Sequence, residues 1–323
     1  VRIATFHTGL SERGPGLLLR RVMDPEDTEV AAVVAMIQEV DPDILVLQDV
    51  DYDAGLATLT ALADRLEQNG VAYPERFALR PNAGLPSGLD LNADGRRGGP
   101  RDAQGYGNFA GDGGMAILSR FLVAIGDVID LSDLLWKDVP GADLPPMSEE
   151  VEQAQRLSSV AHWIVPVAID GVTLTLMTWH GTPPVFDGPE DRNGRRNRDE
   201  TGLWLRLLDG DLAIPPPAAP FVILGVGNVD PRQGEGRRDT LRALLSDARL
   251  QDPTPEGYGG LATADYAEPL GPLRVSYLLP SAGIEVLRSG ILWPAPGGEI
   301  AARLGPPEHW PRHRIVWADL QLD

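Results

Sequence analysis

The chain alternates short apolar runs with amphipathic stretches. Arg2–Phe6 mixes β-branched and apolar residues in alternation and predicts an opening strand. A Gly/Pro break follows at Gly14-Pro15-Gly16. Glu29–Val40 carries apolar residues at helical spacing and halts before Asp41-Pro42, because the residue ahead of proline is steered out of the helical region. Ile44–Leu47 is apolar throughout, the mark of a strand buried on both faces. Ala54–Asn69 predicts a second helix, closed by Gly70 at a position suited to left-handed backbone. Gly114–Leu118 resumes regular structure. His162–Ile169 and Thr173–Thr178 alternate around Asp170-Gly171, a hairpin signal. Asp199–Leu208 and Arg238–Ser246 predict helices. Phe221–Leu224, Arg274–Leu278, Glu285–Leu292 and Ile315–Leu320 predict strands. Strands interspersed with helices, with no internal repeat or interdomain linker, predict one α/β domain over residues 1–323, with two packed sheets covered by helices.

Three stretches break the pattern. Pro81–Gly114 is rich in Gly, Asp, Asn and Arg and lacks periodicity, which points to a functional or ion-bound loop. Leu131–Glu152 is a long excursion, and Gly181–Asn197 is a polar loop. The formal charge of −19 disfavours nonspecific nucleic-acid binding. Cysteine is absent, which excludes disulfides and thiolate metal sites. No run of 18 apolar residues exists, so no transmembrane helix is predicted. A chain that begins at Val1 directly before a strand predicts a removed signal peptide and a periplasmic or extracellular location.

Polar residues gather at the strand ends. In order these are Ala4-Thr5-Phe6-His7, Val46-Leu47-Gln48-Asp49, Gly114-Met115-Ala116-Ile117-Leu118-Ser119, His180-Gly181-Thr182-Pro183-Pro184, Gly225-Val226-Gly227-Asn228, Arg274-Val275-Ser276-Tyr277 and Arg312-His313-Arg314. Together they resemble, in order, the blocks of the endonuclease/exonuclease/phosphatase superfamily. The segment Val185–Asn193 resembles a bacterial, often exported, branch of it. The resemblance spans nearly the whole chain and implies a four-layer α/β sandwich, two mixed β-sheets flanked by helices.

It also implies phosphoester hydrolysis assisted by a hard divalent cation, which wants oxygen ligands. His180 matches the family's transition-state histidine, Asn228 its phosphate-orienting asparagine and His313 its terminal catalytic histidine. Asp49 stands where the family has a metal-binding Glu, and His7 where it has Asn. Imidazole suits a softer metal than Mg²⁺. Three carboxylates are missing: the family's Asp positions hold Val226, Ser276 and Arg312. Arg312 removes the partner of His313 and places a cation beside it, which lowers a histidine pKa.

A second pattern is independent. Asp90-Leu91-Asn92-Ala93-Asp94-Gly95 has side-chain oxygens at alternate positions followed by Gly, the start of a Ca²⁺ loop. The twelfth position is Arg101, with Asp102 next to it as the substitute. The competing reading is an array of Asx turns without an ion. Arg192, Arg195, Arg196 and Arg198 face an anionic ligand at the pocket mouth or, on the stronger expectation, pair with nearby carboxylates. His162-Trp163 and Trp179 read as core. Trp293, Trp310 and Trp317 read as packing or rim residues, and His309 as an exposed loop histidine. Three functions follow: an impaired hydrolase serving as a binding or structural module, an active exported phosphoester hydrolase with a rewired metal site, and a calcium-stabilised interaction protein. The partner is a small phosphoester or another protein.

Overall fold

The computed structural model describes residues 1–322. Along the chain run β1 (Arg2–His7), α1 (Leu17–Met23), α2 (Thr28–Val40), β2 (Ile44–Val50), α3 (Ala57–Gln68), β3 (Glu75–Phe77), β4 (Gly114–Ser119), β5 (Leu122–Val123), β6 (Ile129–Asp130), α4 (Glu149–Glu152), β7 (His162–Ile169), β8 (Val172–His180), α5 (Arg192–Asp209), β9 (Phe221–Val226), α6 (Asp239–Leu245), β10 (Ala264–Asp265), β11 (Pro272–Leu273), β12 (Ser276–Pro280), β13 (Glu285–Ile291), α7 (Glu299–Leu304) and β14 (Val316–Gln321).

One sheet has the order β13-β14-β1-β2-β4-β3, and the other β12-β9-β8-β7-β5 with β6 also on β7. The pairs β1–β2 and β8–β9 are parallel. Their neighbours β14, β4, β7 and β12 run antiparallel, so both sheets are mixed.

Side-chain alternation along the strands builds the layers. Ile3, Val46, Ile117 and Val316 face Trp163, Val165, Leu176 and Leu224 between the sheets. Ala4, Leu45, Leu47 and Leu118 turn outward against Val33, Ile37, Leu59 and Leu62 of α2 and α3. On the far side Met177, Trp179 and Ile223 meet Trp204 and Leu207 of α5 and Leu241 and Leu244 of α6. Ile44–Leu47 is apolar throughout because its two faces belong to two different cores. The expected order of layers, helix–sheet–sheet–helix, is the one observed.

One added helix and three shifted starts depart most from the sequence expectation. α1 follows the Gly/Pro break; Gly16, at φ 77°, turns the chain into it, and Leu18 and Val22 bury. α3 begins at Ala57 instead of Ala54, because the Asp53 carboxylate accepts from the N–H groups of Ala57 (2.8 Å) and Thr58 (2.9 Å). α5 begins at Arg192, inside the predicted loop Gly181–Asn197. β12 begins at Ser276, not Arg274, since the Arg274 N–H turns to Asp230 Oδ2 at 2.7 Å.

The long loop before β4 is anchored from within. Asn82 Nδ2 donates to the carbonyls of Ser132 (2.7 Å) and Ser158 (2.8 Å). The 131–152 excursion packs Trp136 against Leu157 and Leu203. No helix among the described residues is long and apolar enough to cross a membrane.

Candidate functional site

Strand ends from both sheets open on a cleft of about 900 Å³. β1 ends at His7, opposite Gln48 of β2. The β2–β4 register then slips between Gln48 and Val50, and Asp49 sits in the slip at φ 60°. A bulge adds a residue and re-aims its side chain. Asp49 Oδ2 thereby comes within 3.9 Å of His7 Nδ1. A Cβ at Gly113 would stand 2.9 Å from Asp49 Oδ1, at φ +57°, so glycine there leaves the carboxylate its room.

On the second sheet three positions share one row. His180 pairs in register with Val226, and Val226 with Ser276. His313 lies just before β14 and bridges to Ala264. The sheets bring their histidines together: His7 stacks on His313 (centroids 4.1 Å, planes 12° apart), and His180 meets His7 edge-on at 5.1 Å.

Electrostatics at this cluster is dominated by burial. The Nδ1 atoms of His7, His180 and His313 are buried without a partner. Burial pushes the His7 pKa down to about 4, with Arg312 adding to the effect against a backbone hydrogen bond. It takes His180 down to about 3, reinforced by His7. His313 is held well below the ordinary value by burial, then by His7, His180 and Arg312. All three imidazoles are therefore neutral at pH 7. Burial raises the Asp49 carboxyl, opposed by hydrogen bonds from Ser11 and by His180. The His7–Asp49 contact is too long for a hydrogen bond and, with His7 neutral, is not an ion pair.

The remaining positions divide. Asn228, at φ 54°, donates Nδ2 to the Gly181 carbonyl at 2.8 Å and so braces the turn after His180. Val226 is 0 % exposed and Ser276 2 %; neither lines the cleft, and Ser276 Oγ has no partner. Arg312 does line it, with its guanidinium 5.1 Å over the Tyr266 ring.

A hard cation fits this donor set poorly. Asp49 is the only carboxylate of the described residues within 4 Å of the three histidines. No three His, Asp or Glu side chains among the described residues are arranged to hold one metal ion. Neutral imidazoles and one carboxylate do not supply the oxygen shell that Mg²⁺ demands.

Residues 90–102 stand apart from the cleft. Asp90 accepts from the N–H groups of Asp94 (3.1 Å) and Gly95 (2.8 Å), and Asp94 from Arg96 N–H (2.8 Å) and Asn92 Nδ2 (3.1 Å). Asp102 ties Leu91 N–H to Gly99 N–H, at 3.0 Å each.

The arginine cluster lies on α5, away from the mouth. Arg195 pairs with Asp143, and Arg198 with Asp199 and Asp239. Arg196 breaks the expectation of ion pairing. It is buried and donates to the carbonyls of Leu157, Gln104, Arg156 and Ser158. Arg192 likewise turns to Leu91 O and Gln155 Oε1. His309 and Trp310 are half-buried and line the cleft.

Sequence reasoning gave Glu200 only a part in pairing with the arginine cluster and passed over Asp51. Buried Glu200 accepts from Ser159 N–H, Ser159 Oγ and Thr182 N–H, each at 2.6 Å, and so fixes the turn that carries His180. Asp51 accepts from Gly113 N–H (3.2 Å) and Glu12 N–H (3.1 Å); burial, with Asp112 and Asp49 nearby, pushes its pKa up to about 7. Asp51 lies two residues past Asp49, but its burial is not written in the local sequence.

Comparison with curated proteins finds no sequence match. Solved structures do match over the full length. An endonuclease/exonuclease/phosphatase from Beutenbergia cavernae is 17 % identical with a TM-score of 0.57, over 100 % of this chain and 71 % of its own. An endonuclease/exonuclease/phosphatase family protein from Leptotrichia buccalis is 13 % identical with a TM-score of 0.58, over 100 % of both chains. Sphingomyelinase C from Streptomyces griseocarneus is 15 % identical with a TM-score of 0.51, over 98 % of both. These likenesses establish a shared fold. The model of the Endonuclease/Exonuclease/phosphatase family matches residues 24–298, most of the sequence, and the chain belongs to that family.

Proposed function

We propose that this chain uses its cleft to bind a phosphoester and has lost hydrolysis by a divalent-cation route. One observation carries the reading. Val226 and Ser276 face each other in register beside His180, an uncharged row where the family resemblance implies carboxylates. A row of valine and serine offers no carboxylate to act as general base or anionic cation ligand, and a general base alone typically contributes ~10²–10⁴-fold. What remains suits an anion: Arg312 brings a permanent charge, and each neutral imidazole brings one N–H.

The test is hydrolysis of simple phosphomonoesters and phosphodiesters across Mg²⁺, Mn²⁺, Ca²⁺ and Zn²⁺. The variant Val226→Asp/Ser276→Asp/Arg312→Asp is run alongside, with its fold checked by circular dichroism. We expect no metal-dependent turnover from the unmodified chain. Turnover that is abolished by chelation and by His180→Ala would refute the proposal and favour an active hydrolase with a rewired site.

A further inference from the structure

The lining of the cleft restricts what the phosphoester carries, if the binding reading above holds. Arg312 is its only Arg or Lys among the described residues, against the carboxylates of Glu29, Asp49, Asp112, Asp230, Glu235 and Glu308. Among the described residues Arg312 pairs with no carboxylate and lies instead over Tyr266. Four of the acids are already engaged: Glu29 pairs with Arg21 at 2.6 Å, and Asp49 accepts from Ser11. Asp230 accepts from three backbone N–H groups, those of Arg232 (2.7 Å), Gln233 (3.0 Å) and Arg274 (2.7 Å). Asp112 accepts from Asn108 N–H (2.7 Å) and Nδ2 (2.9 Å). A polyanion entering this cleft meets repulsion at several points, while a ligand with a single anionic group meets Arg312.

Three large apolar side chains stand exposed among the carboxylates of the rim. Tyr106 is 67 % exposed, Phe186 80 % and Leu270 47 %, and all three line this cleft. They come from three loops, before β4, after β8 and between β10 and β11. Phe186 is held at φ 72°, a conformation that bulky side chains rarely adopt. Among the described residues no ring stacks on it, and its burial does not offset the strain. Strained residues that packing does not explain collect at ligand-binding positions. The cleft volume, about 900 Å³, suits a small organic ligand.

We propose that the cleft takes a singly charged phosphodiester bearing an aromatic group, with the anion at Arg312 beside the three histidines and the ring between Phe186 and Tyr106. Two ring contacts amount to about a tenfold preference for an aryl over a methyl ester.

Isothermal titration of the full chain with diphenyl phosphate and with dimethyl phosphate tests this, with Trp310 fluorescence as a second readout. Diphenyl phosphate should bind about tenfold more tightly. Phe186→Gly and Tyr106→Ala should erase the preference, while Arg312→Ala weakens both ligands. Phe186→Gly should keep or raise the Tm, because glycine accepts φ 72°; loss of binding there is then not loss of fold. Equal binding of both esters through Arg312 would overturn the aromatic preference and leave the anion reading standing. Binding of neither would overturn both. Phe186-dependent binding to phosphatidylglycerol vesicles, without an aryl preference in solution, would overturn the small-ligand proposal in favour of a membrane surface.

Discussion

His162 gives a direct measure of how burial sets the charge state of the histidines in this fold. It is 0 % exposed, with Nδ1 at 2.6 Å from Ser158 Oγ and Nε2 at 3.0 Å from the Glu200 carbonyl. Burial pushes its pKa down to about 4, from an ordinary value of 6.5. A base whose pKa is depressed in the folded state is protonated first in the unfolded chain. Its contribution is present above pH 6.5 and is lost as the pH falls from there toward 4. Between pH 7 and pH 5 that loss is ~2 kcal/mol. Other groups titrate over the same range, and Asp51, raised to about 7, acts in the opposite sense. The measurement is therefore a difference. Urea unfolding of the unmodified chain and of His162→Gln at pH 7 and pH 5 should show the stability gap between them shrink by ~2 kcal/mol at the lower pH. A gap that does not change with pH would refute the claim that His162 is buried neutral, and with it the same reasoning for His7, His180 and His313.

Three further outcomes follow from the site. Val226→Asp places a carboxylate in register beside His180, and an opposite charge at that distance should raise the His180 pKa by ~1–3 units from about 3; an unchanged NMR titration of His180 would sink the row geometry. Glu200→Ala strips three donors, Ser159 N–H, Ser159 Oγ and Thr182 N–H, of their acceptor, at ~1–3 kcal/mol each. Urea unfolding should show a loss of at least ~3 kcal/mol, and a loss below ~1 kcal/mol would mean that water replaces Glu200. Calcium binding at residues 90–102 is a separate proposal: millimolar Ca²⁺ should raise the Tm, and Asp90→Ala and Asp94→Ala should remove the rise. Equal Tm values in calcium and in chelator would leave the loop to its own hydrogen bonds.

The fold was legible where burial is written in apolar residues. Ile44–Leu47, the β7–β8 hairpin and α2 announce themselves, because each must cover one or two cores. The start of α5 was not legible. Its first turns bury Gly194, Arg196, Asn197, Asp199 and Glu200, so the inward face carries no hydrophobic period. Those polar side chains are buried because they bind loop carbonyls and N–H groups, a relation visible only after folding. Strand-end residues were legible as a set but not in their aim. Simple alternation would place Gln48 and Asp49 on opposite faces, and the slip at Asp49 breaks that alternation. Tyr106 and Phe186 were invisible for a plainer reason: loops have no period to read.

On the proposed reading, the residues at 226, 276 and 312 all act on the site's histidines in one direction. A carboxylate at 226 would stand in register with His180, and one at 276 next in the same row; each would favour the protonated imidazole. Valine and serine remove that pull. Burial lowers both His7 and His313, and Arg312 adds to it. Three imidazoles that could carry charge at pH 7 are thereby held neutral. Cationic rings would repel one another at centroid separations of 4.1 and 5.1 Å. Neutral rings can stack at those distances, and a neutral floor leaves Arg312 as the fixed positive charge that a bound anion meets among the described lining residues. On the proposed reading, Val226, Ser276 and Arg312 therefore set the site's charge together and not as three separate losses.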